Sequence, residues 1–165
     1  MEIVLANYDN YKDYHQTYIT ALRDGFIEFT PNEWINRFDK EFYEYFRDCY
    51  KNIEIEMYIC YLDNQPIGVF NIDKYKDEMG NIYGLVDSIY FKKSFHGKGY
   101  AKLALNFIEQ RLKELGYKKA VLWCSTENAR AWRFYVKYNY KPTSKLWDDV
   151  LDGKTFHNVL LEKEL

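Results

Sequence analysis

The sequence predicts a single α/β domain over residues 1–165, with a mixed sheet and the order β-α-α-β-β-β-α-β-α-β-β. Three observations predict it. Residues 55–91 carry strand-like alternation broken by turn residues, which makes three successive strands with a hairpin between the first two. Residues 83–124 then run strand, glycine loop, amphipathic helix and a continuously apolar strand of the kind covered on both faces. The composition suits one packed core: 165 residues and 20.0 kDa, 19% aromatic, with only 8 Gly and 3 Pro, which excludes disordered, collagen-like and low-complexity chains.

In order, Ile3 to Ala6 forms a short apolar strand. Asn10 is a helix N-cap, followed by Tyr11, Tyr14, Tyr18 and Leu22 at helical spacing up to Gly25. Thr30-Pro31-Asn32-Glu33 is a capping box with Pro at the first helical position, and Trp34, Phe38, Phe42, Tyr45, Phe46 and Cys49 make one face of a second helix to about Tyr50. Ile55 to Leu62 alternates as a strand, Asp63-Asn64-Gln65-Pro66 turns, and Ile67 to Tyr75 returns. After a loop through Gly80 and Asn81 comes a strand from Tyr83 to Phe91. The next helix has an apolar stripe of Tyr100, Leu103, Ala104, Phe107, Ile108, Leu112 and Leu115, and Gly116 stops it. Ala120 to Cys124 is the apolar strand, Asn128 to Tyr138 a short helix, and Pro142 to Trp147 and Thr155 to Lys163 are two strands around Asp152-Gly153.

Composition also excludes function classes. The 23 Lys and Arg against 25 Asp and Glu leave a net charge of -2, without the basic footprint of a dedicated nucleic-acid binder. The longest unbroken apolar run, Met57 to Leu62, is six residues against the ~20 of a membrane helix. The N-terminus lacks the features of a secretory signal, and Cys49, Cys60 and Cys124 form no Cys-x-x-Cys pair. A cytoplasmic protein with reduced, buried cysteines is expected. His15, His96 and His157 are scattered without metal-ligand spacing, so no metal is expected.

The most informative junction is Ser88-Ile89-Tyr90-Phe91-Lys92-Lys93-Ser94-Phe95-His96-Gly97-Lys98-Gly99-Tyr100-Ala101-Lys102-Leu103. A helix start carries unpartnered N–H groups and the positive end of the helix dipole, which favour a phosphate. Gly97 and Gly99 let backbone approach it, and Lys98 and Lys102 add positive charge. The same pair of glycines also reads as a plain turn. It is neither a Gly-x-x-x-x-Gly-Lys-Ser/Thr loop nor a full Gly-x-Gly-x-x-Gly, because Lys102 holds the third glycine position.

His96-Gly97-Lys98-Gly99-Tyr100-Ala101 resembles the Gln/Arg-x-x-Gly-x-Gly/Ala signature of the GNAT superfamily of acetyl-CoA-dependent N-acetyltransferases, with His96 where Gln or Arg is usual. The strand ending Ile89-Tyr90-Phe91 is similar to the one that pairs with the pantetheine arm in that family. Asn128 to Tyr140 resembles its Asn-x-x-Ala-x-x-x-Tyr-x-x-x-Gly-Phe segment, with Asn139 for Gly and Tyr140 for Phe. Asn is the usual substitute for Gly at a left-handed helix end. The two motifs occur in the family's order, 36 residues apart from Gly99 to Tyr135, and the element order is similar over nearly the whole chain.

The resemblance implies that an acceptor amine attacks the thioester of acetyl-CoA directly. It assigns cofactor contacts to Ile89, Tyr90, Phe91, His96, Gly97, Lys98, Gly99, Tyr100, Ala101, Lys102, Asn128 and Tyr135. A backbone N–H near Ile89 or Phe91 would stabilise the developing oxyanion. Tyr135, otherwise a core aromatic, would give a proton or hydrogen bond to the leaving thiolate, a transfer uphill by roughly 2 kcal/mol for ordinary pKa values. Many relatives carry a Glu base where this chain has Trp123, so the role passes to the nearest carboxylates, Asp87 first and then Glu127. Asp148, Asp149 and Asp152 read as a solvated hairpin turn or as an attractor for a cationic amine. The implied acceptor is a small-molecule or peptide amine, and a homodimer is compatible with the sequence. The alternative is a catalytically silent CoA-binding module, motivated by Trp123; an aromatic-rich nucleic-acid module conflicts with the charge balance.

Overall fold

The computed structural model describes residues 1–26, 55–151 and 153–165. The second helix expected from Pro31 to about Tyr50, with Cys49, and the turn residue Asp152 lie outside the described residues. Seven strands form one mixed sheet: β1 (Glu2–Leu5), β2 (Glu56–Leu62), β3 (Gln65–Lys76), β4 (Ile82–Phe91), β5 (Lys119–Ser125), β6 (Lys141–Leu151) and β7 (Lys154–Glu164). Their spatial order is β1-β2-β3-β4-β5-β7-β6. Three helices are described: α1 (Tyr11–Phe26), α2 (Tyr100–Glu114) and α3 (Ala129–Lys137).

Several boundaries move for local reasons. Asp63 and Asn64, at φ of 49° and 60°, alone make a two-residue hairpin loop, so β3 starts at Gln65 and takes in Pro66 opposite Tyr61, beside a register shift. Helix α1 begins after Asn10, whose carbonyl accepts from Tyr14 N. The Asn10 side chain turns back instead, its Oδ1 accepting from Asn7 N at 2.7 Å. In α2 the buried residues are Ala104, Leu105, Ile108 and Leu112. The expected Leu103 and Leu115 are exposed, so the apolar face is rotated from the sequence reading.

The sheet separates two cores. On one face α1 lays Tyr14, Tyr18, Ile19 and Leu22 over Met57, Ile59 and Val69. On the other, Ala104, Leu105, Ile108 and Leu112 of α2 cover Phe70, Ile72, Val86, Ala120 and Leu122. Seating α2 this closely requires Gly84, because a Cβ there would lie 2.5 Å from Leu112 Cδ2. Ion pairs fix α2 at both flanks: Arg111 grips Glu56 of β2 through Nη2 at 2.6 Å and Nε at 2.9 Å, and Glu109 meets Lys163 of β7 at 2.7 Å.

The Arg111 guanidinium holds the Glu56 carboxyl below its ordinary value of 4.5, against the opposing effect of partial burial. A depressed native pKa gives stability that is full above the unfolded value and is lost as pH falls from there through the native one. Wild type should therefore exceed Glu56→Gln in stability by about 1 kcal/mol at pH 7, and the urea-unfolding gap should close as pH falls below the ordinary carboxylate value of 4.5.

Candidate functional site

Strands β4 and β5 are parallel, yet they pair only at Gly84–Ala120 and Leu85–Val121. Beyond this, β4 continues to Phe91 along β3 and β5 continues to Ser125 along β7, so the two part. A cleft of about 610 Å³ occupies the parting, within the range of small-molecule sites. Its lining comes from both layers, Ala21 and Gly25 of α1 on one side, Ala131, Phe134 and Tyr135 of α3 on the other.

Along the open edge, backbone direction follows from one bond. Lys92 N donates to Ile67 O at 3.0 Å, toward β3. Alternation then sends the amides of Ile89 and Phe91 the opposite way, toward the cleft. At the cleft's end Gly97 and Gly99 have φ of 74° and 87°, and a Cβ on either would meet nothing within 4 Å. Gly99 precedes α2 with no side chain capping the first turn, whose leading N–H groups have no partner within the helix.

His96 anchors this loop. Its Nε2 is 2.6 Å from Phe91 O and its Nδ1 is 2.9 Å from Arg130 Nη1. A carbonyl only accepts and a guanidinium only donates, so the ring is the Nε2–H tautomer. Both ring nitrogens are thus engaged in holding the loop. Arg130, from the first turn of α3, reaches His96 with its guanidinium beside Gly25 of α1. Lys102 lines the cleft with its ammonium 4.0 Å from the Tyr138 ring centroid, whereas Lys98 is exposed over Phe95.

Asn128 caps α3 by accepting from Ala131 N at 3.0 Å. The helix ends in a Schellman turn: Asn139, at φ 69°, donates N–H to Val136 O, and Tyr140 N donates to Tyr135 O. The apolar contact usual to this motif is Tyr140 against Tyr135, with ring centroids 5.7 Å apart. The Tyr135 hydroxyl lines the cleft and makes no hydrogen bond among the described residues. Burial pushes this phenol well above the ordinary tyrosine range, with the neighbouring Cys124 and Tyr90 adding to it, so it stays protonated.

Asp87 is the extra residue of a bulge in β4: Asn71 opposes Ser88 and Ile72 opposes Val86. Bulges re-aim side chains, and this one turns Asp87 into the cleft. Its Oδ2 accepts from Asn71 Nδ2 at 3.0 Å and Ser88 Oγ at 3.2 Å. Behind it, Tyr14 OH donates to Asn71 Oδ1, and Tyr18, Tyr90 and Ser88 are hydrogen-bonded together. Burial, then the Asp87 charge, pushes Tyr90 up to about 12.

The other carboxylates lie elsewhere. Glu127 accepts from Ser125 Oγ at 2.6 Å, outside the cleft lining. Asp148 pairs across the strands with His157 at 2.9 Å, an exposed contact that raises the His157 pKa. Neither Asp148 nor Asp149 lines the cleft. Trp123, Trp147 and Asn158 do; Trp147 and Asn158, brought in by strand register, and Arg130, brought in by α3, are participants that the sequence motifs do not flag. Cys124 also lines the cleft, but burial pushes its thiol up to about 12; Cys60 is buried with the same shift. Among the described residues no three His, Cys, Asp or Glu side chains group as metal ligands, and no described helix is long and apolar enough to cross a membrane.

The family model described as "Acetyltransferase (GNAT) family" matches residues 10–140, and the chain belongs to that family. The sequence finds no match among curated proteins. Among solved structures, the fold is similar to PaiA N-acetyltransferase of Thermoplasma acidophilum in complex with coenzyme A, at TM-score 0.74 and 17% identity over 100% of both chains. It is similar to ribosomal-protein-alanine N-acetyltransferase of Brucella melitensis at TM-score 0.75 and 12% identity, again over 100% of both chains. The putative acetyltransferase yncA of Salmonella typhimurium, with its cofactor acetyl-CoA, aligns at TM-score 0.72 and 13% identity over 99% of this chain and 93% of its own.

The turn after α3 makes a direct prediction. Asn139→Gly should leave stability within a few tenths of a kcal/mol of wild type, while Asn139→Ala, forced to φ near 69°, should lose about 1 kcal/mol in urea unfolding.

Proposed function

We propose that this GNAT-family acetyltransferase moves an acetyl group from acetyl-CoA to a primary amine by direct attack, with Asp87 receiving the amine's proton and Tyr135 supporting the leaving thiolate. The observation that carries the reading is the parting of β4 and β5, which sets a carboxylate, an unpaired strand edge and a partly buried phenol around one cleft. The residues present suit the cosubstrate. The outward amides of Ile89 and Phe91 offer hydrogen bonds to an extended amide arm, and the open space over Gly97 and Gly99 beside the first turn of α2 suits a diphosphate. Acetyl-CoA, when bound, supplies an activated thioester carbonyl.

From there the chain's own groups carry the steps. A lysine-like amine costs roughly 4–5 kcal/mol to deprotonate at pH 7, so the Asp87 carboxylate, steadied by Asn71 and Ser88, takes its proton as the C–N bond forms. The strand amides donate to the oxyanion that develops as the nitrogen attacks. When the C–S bond breaks, Tyr135 donates a hydrogen bond to the thiolate. Its raised pKa makes full proton transfer more uphill than an ordinary phenol would, so hydrogen bonding is the role that suits it. Cys124 is a poor acyl carrier: its thiol is held protonated by burial, and its sulfur donates to Ser125 O. His96 and Arg130 act as positioning residues that fix the phosphate loop.

The test is CoA release from acetyl-CoA with a panel of primary amines. Tyr135→Phe should lower kcat on the order of 10²-fold. Asp87→Asn should lower kcat/KM by a similar factor at pH 7, with the deficit shrinking as pH rises toward the amine pKa of ~10.4, where free amine no longer needs a base. Equal turnover in wild type and both variants rejects these assignments. CoA binding without turnover of any amine would instead identify a silent CoA-binding module.

A further inference from the structure

We infer that the acceptor is a monoamine carried on an aromatic ring by a short linker, the ring packing in a corner made by Trp123 and Trp147 while the amine meets Asp87. This deepens the acetyl-transfer reading above and rests on it.

The register places the two ends of such a molecule. Strand β4 pairs with β5 at Gly84–Ala120 and Leu85–Val121, a constant offset of 36 residues. Carried two residues further, the same offset sets Asp87 opposite Trp123, at the point where the strands part. Alternation puts Trp123 on the face of Val121, and Asp87 shares that face because Asn71, which it binds, meets Tyr14 of α1. Asp87 and Trp123 thus line opposite banks of the same cleft.

Trp123 does not stand alone. Its ring meets Trp147 of β6 with centroids 5.9 Å apart at 65°, and Tyr75 of β3 at 6.2 Å and 82°. The two near-perpendicular indoles leave a corner that a third ring fills by stacking on one and meeting the other edge-on. Trp147 lines the cleft yet is 50% exposed, so apolar indole surface is left for an occupant to cover. The polar groups at this end are neutral: Ser125, and Asn158, whose Nδ2 is spent on Trp147 O and leaves Oδ1 to accept.

Charge then narrows the class. Among the described residues lining the cleft, Asp87 is the single carboxylate. One ammonium has a partner; among the described residues of the lining, the second ammonium of a diamine or polyamine would face indole and neutral groups. The nearby acids do not help, since Asp148 pairs with His157 and Glu127 with Ser125.

The experiment compares phenethylamine, n-butylamine and spermidine as acceptors in the CoA-release assay. In wild type, phenethylamine should exceed both in kcat/KM by about tenfold or more. Trp147→Ala should collapse that preference toward one, chiefly through a higher KM for phenethylamine, and Trp147→Phe should keep most of it. Trp147 is half exposed, and a melt of each variant verifies folding. No preference in wild type, a preference for spermidine, or an unchanged preference in Trp147→Ala overturns the inference alone. No turnover of any amine overturns the transfer reading with it. Acetyl-CoA at a hundredfold excess over Kd should raise Tm by roughly 5–10 °C, and the absence of that shift rejects the CoA site itself.

Discussion

The structure turns on the abrupt end of one parallel strand pairing. A parallel ladder held over the full length of β4 and β5 would leave no cleft, because each strand would spend its edge on the other. Two paired residues on each strand join the halves of the sheet, and the rest of each edge is free. The join is set by small residues under a large one: Gly84 and Ala120 oppose each other, and Leu112 of α2 presses onto Gly84. Ion pairs from α2 to β2 and to β7 then hold the helix across both halves. The opening is therefore part of the fold's covalent and packing logic rather than a gap left by poor packing.

Around that opening, each polar group is set by a structure that constrains it more tightly than its own rotamers would. The Asp87 carboxylate is aimed by a bulge and tied by Asn71, itself held by the buried Tyr14. The His96 ring is fixed between an acceptor and a donor, which selects its tautomer and ties the glycine loop to both Phe91 and α3. Tyr135 is held through its own carbonyl in the Schellman turn. Such preorganisation is what electrostatic catalysis needs, since groups already in place cost nothing to reorient during reaction.

Much of this was legible in local sequence. Gly97, Gly99, Asn128 and Asn139 announce themselves because special φ values and caps depend on neighbours within a few residues. The strands were legible through alternation, and their order with them. What was hidden depends on register. The bulge that aims Asp87 arises from a pairing shift opposite Asn71, and no residue type in β4 signals it. Asp148 looked like one of an acidic cluster, yet the β6–β7 register places it against His157. Trp147 joins Trp123 across an intervening strand, and Arg130 meets His96 34 residues away in sequence. The rotated face of α2 was missed because Leu103 and Leu105 fit a helical stripe about equally well, and only the sheet beneath decides between them.

The cleft draws its walls from the layers on both sides of the sheet. A site walled from a single layer would tie every change in its lining to one packed core. Here α1 brings one wall from the core it makes with β2 and β3, and α3 brings the other from the core it shares with α2. Side chains on the α1 side can thus change without disturbing the side of the sheet where α2 and α3 meet the glycine loop.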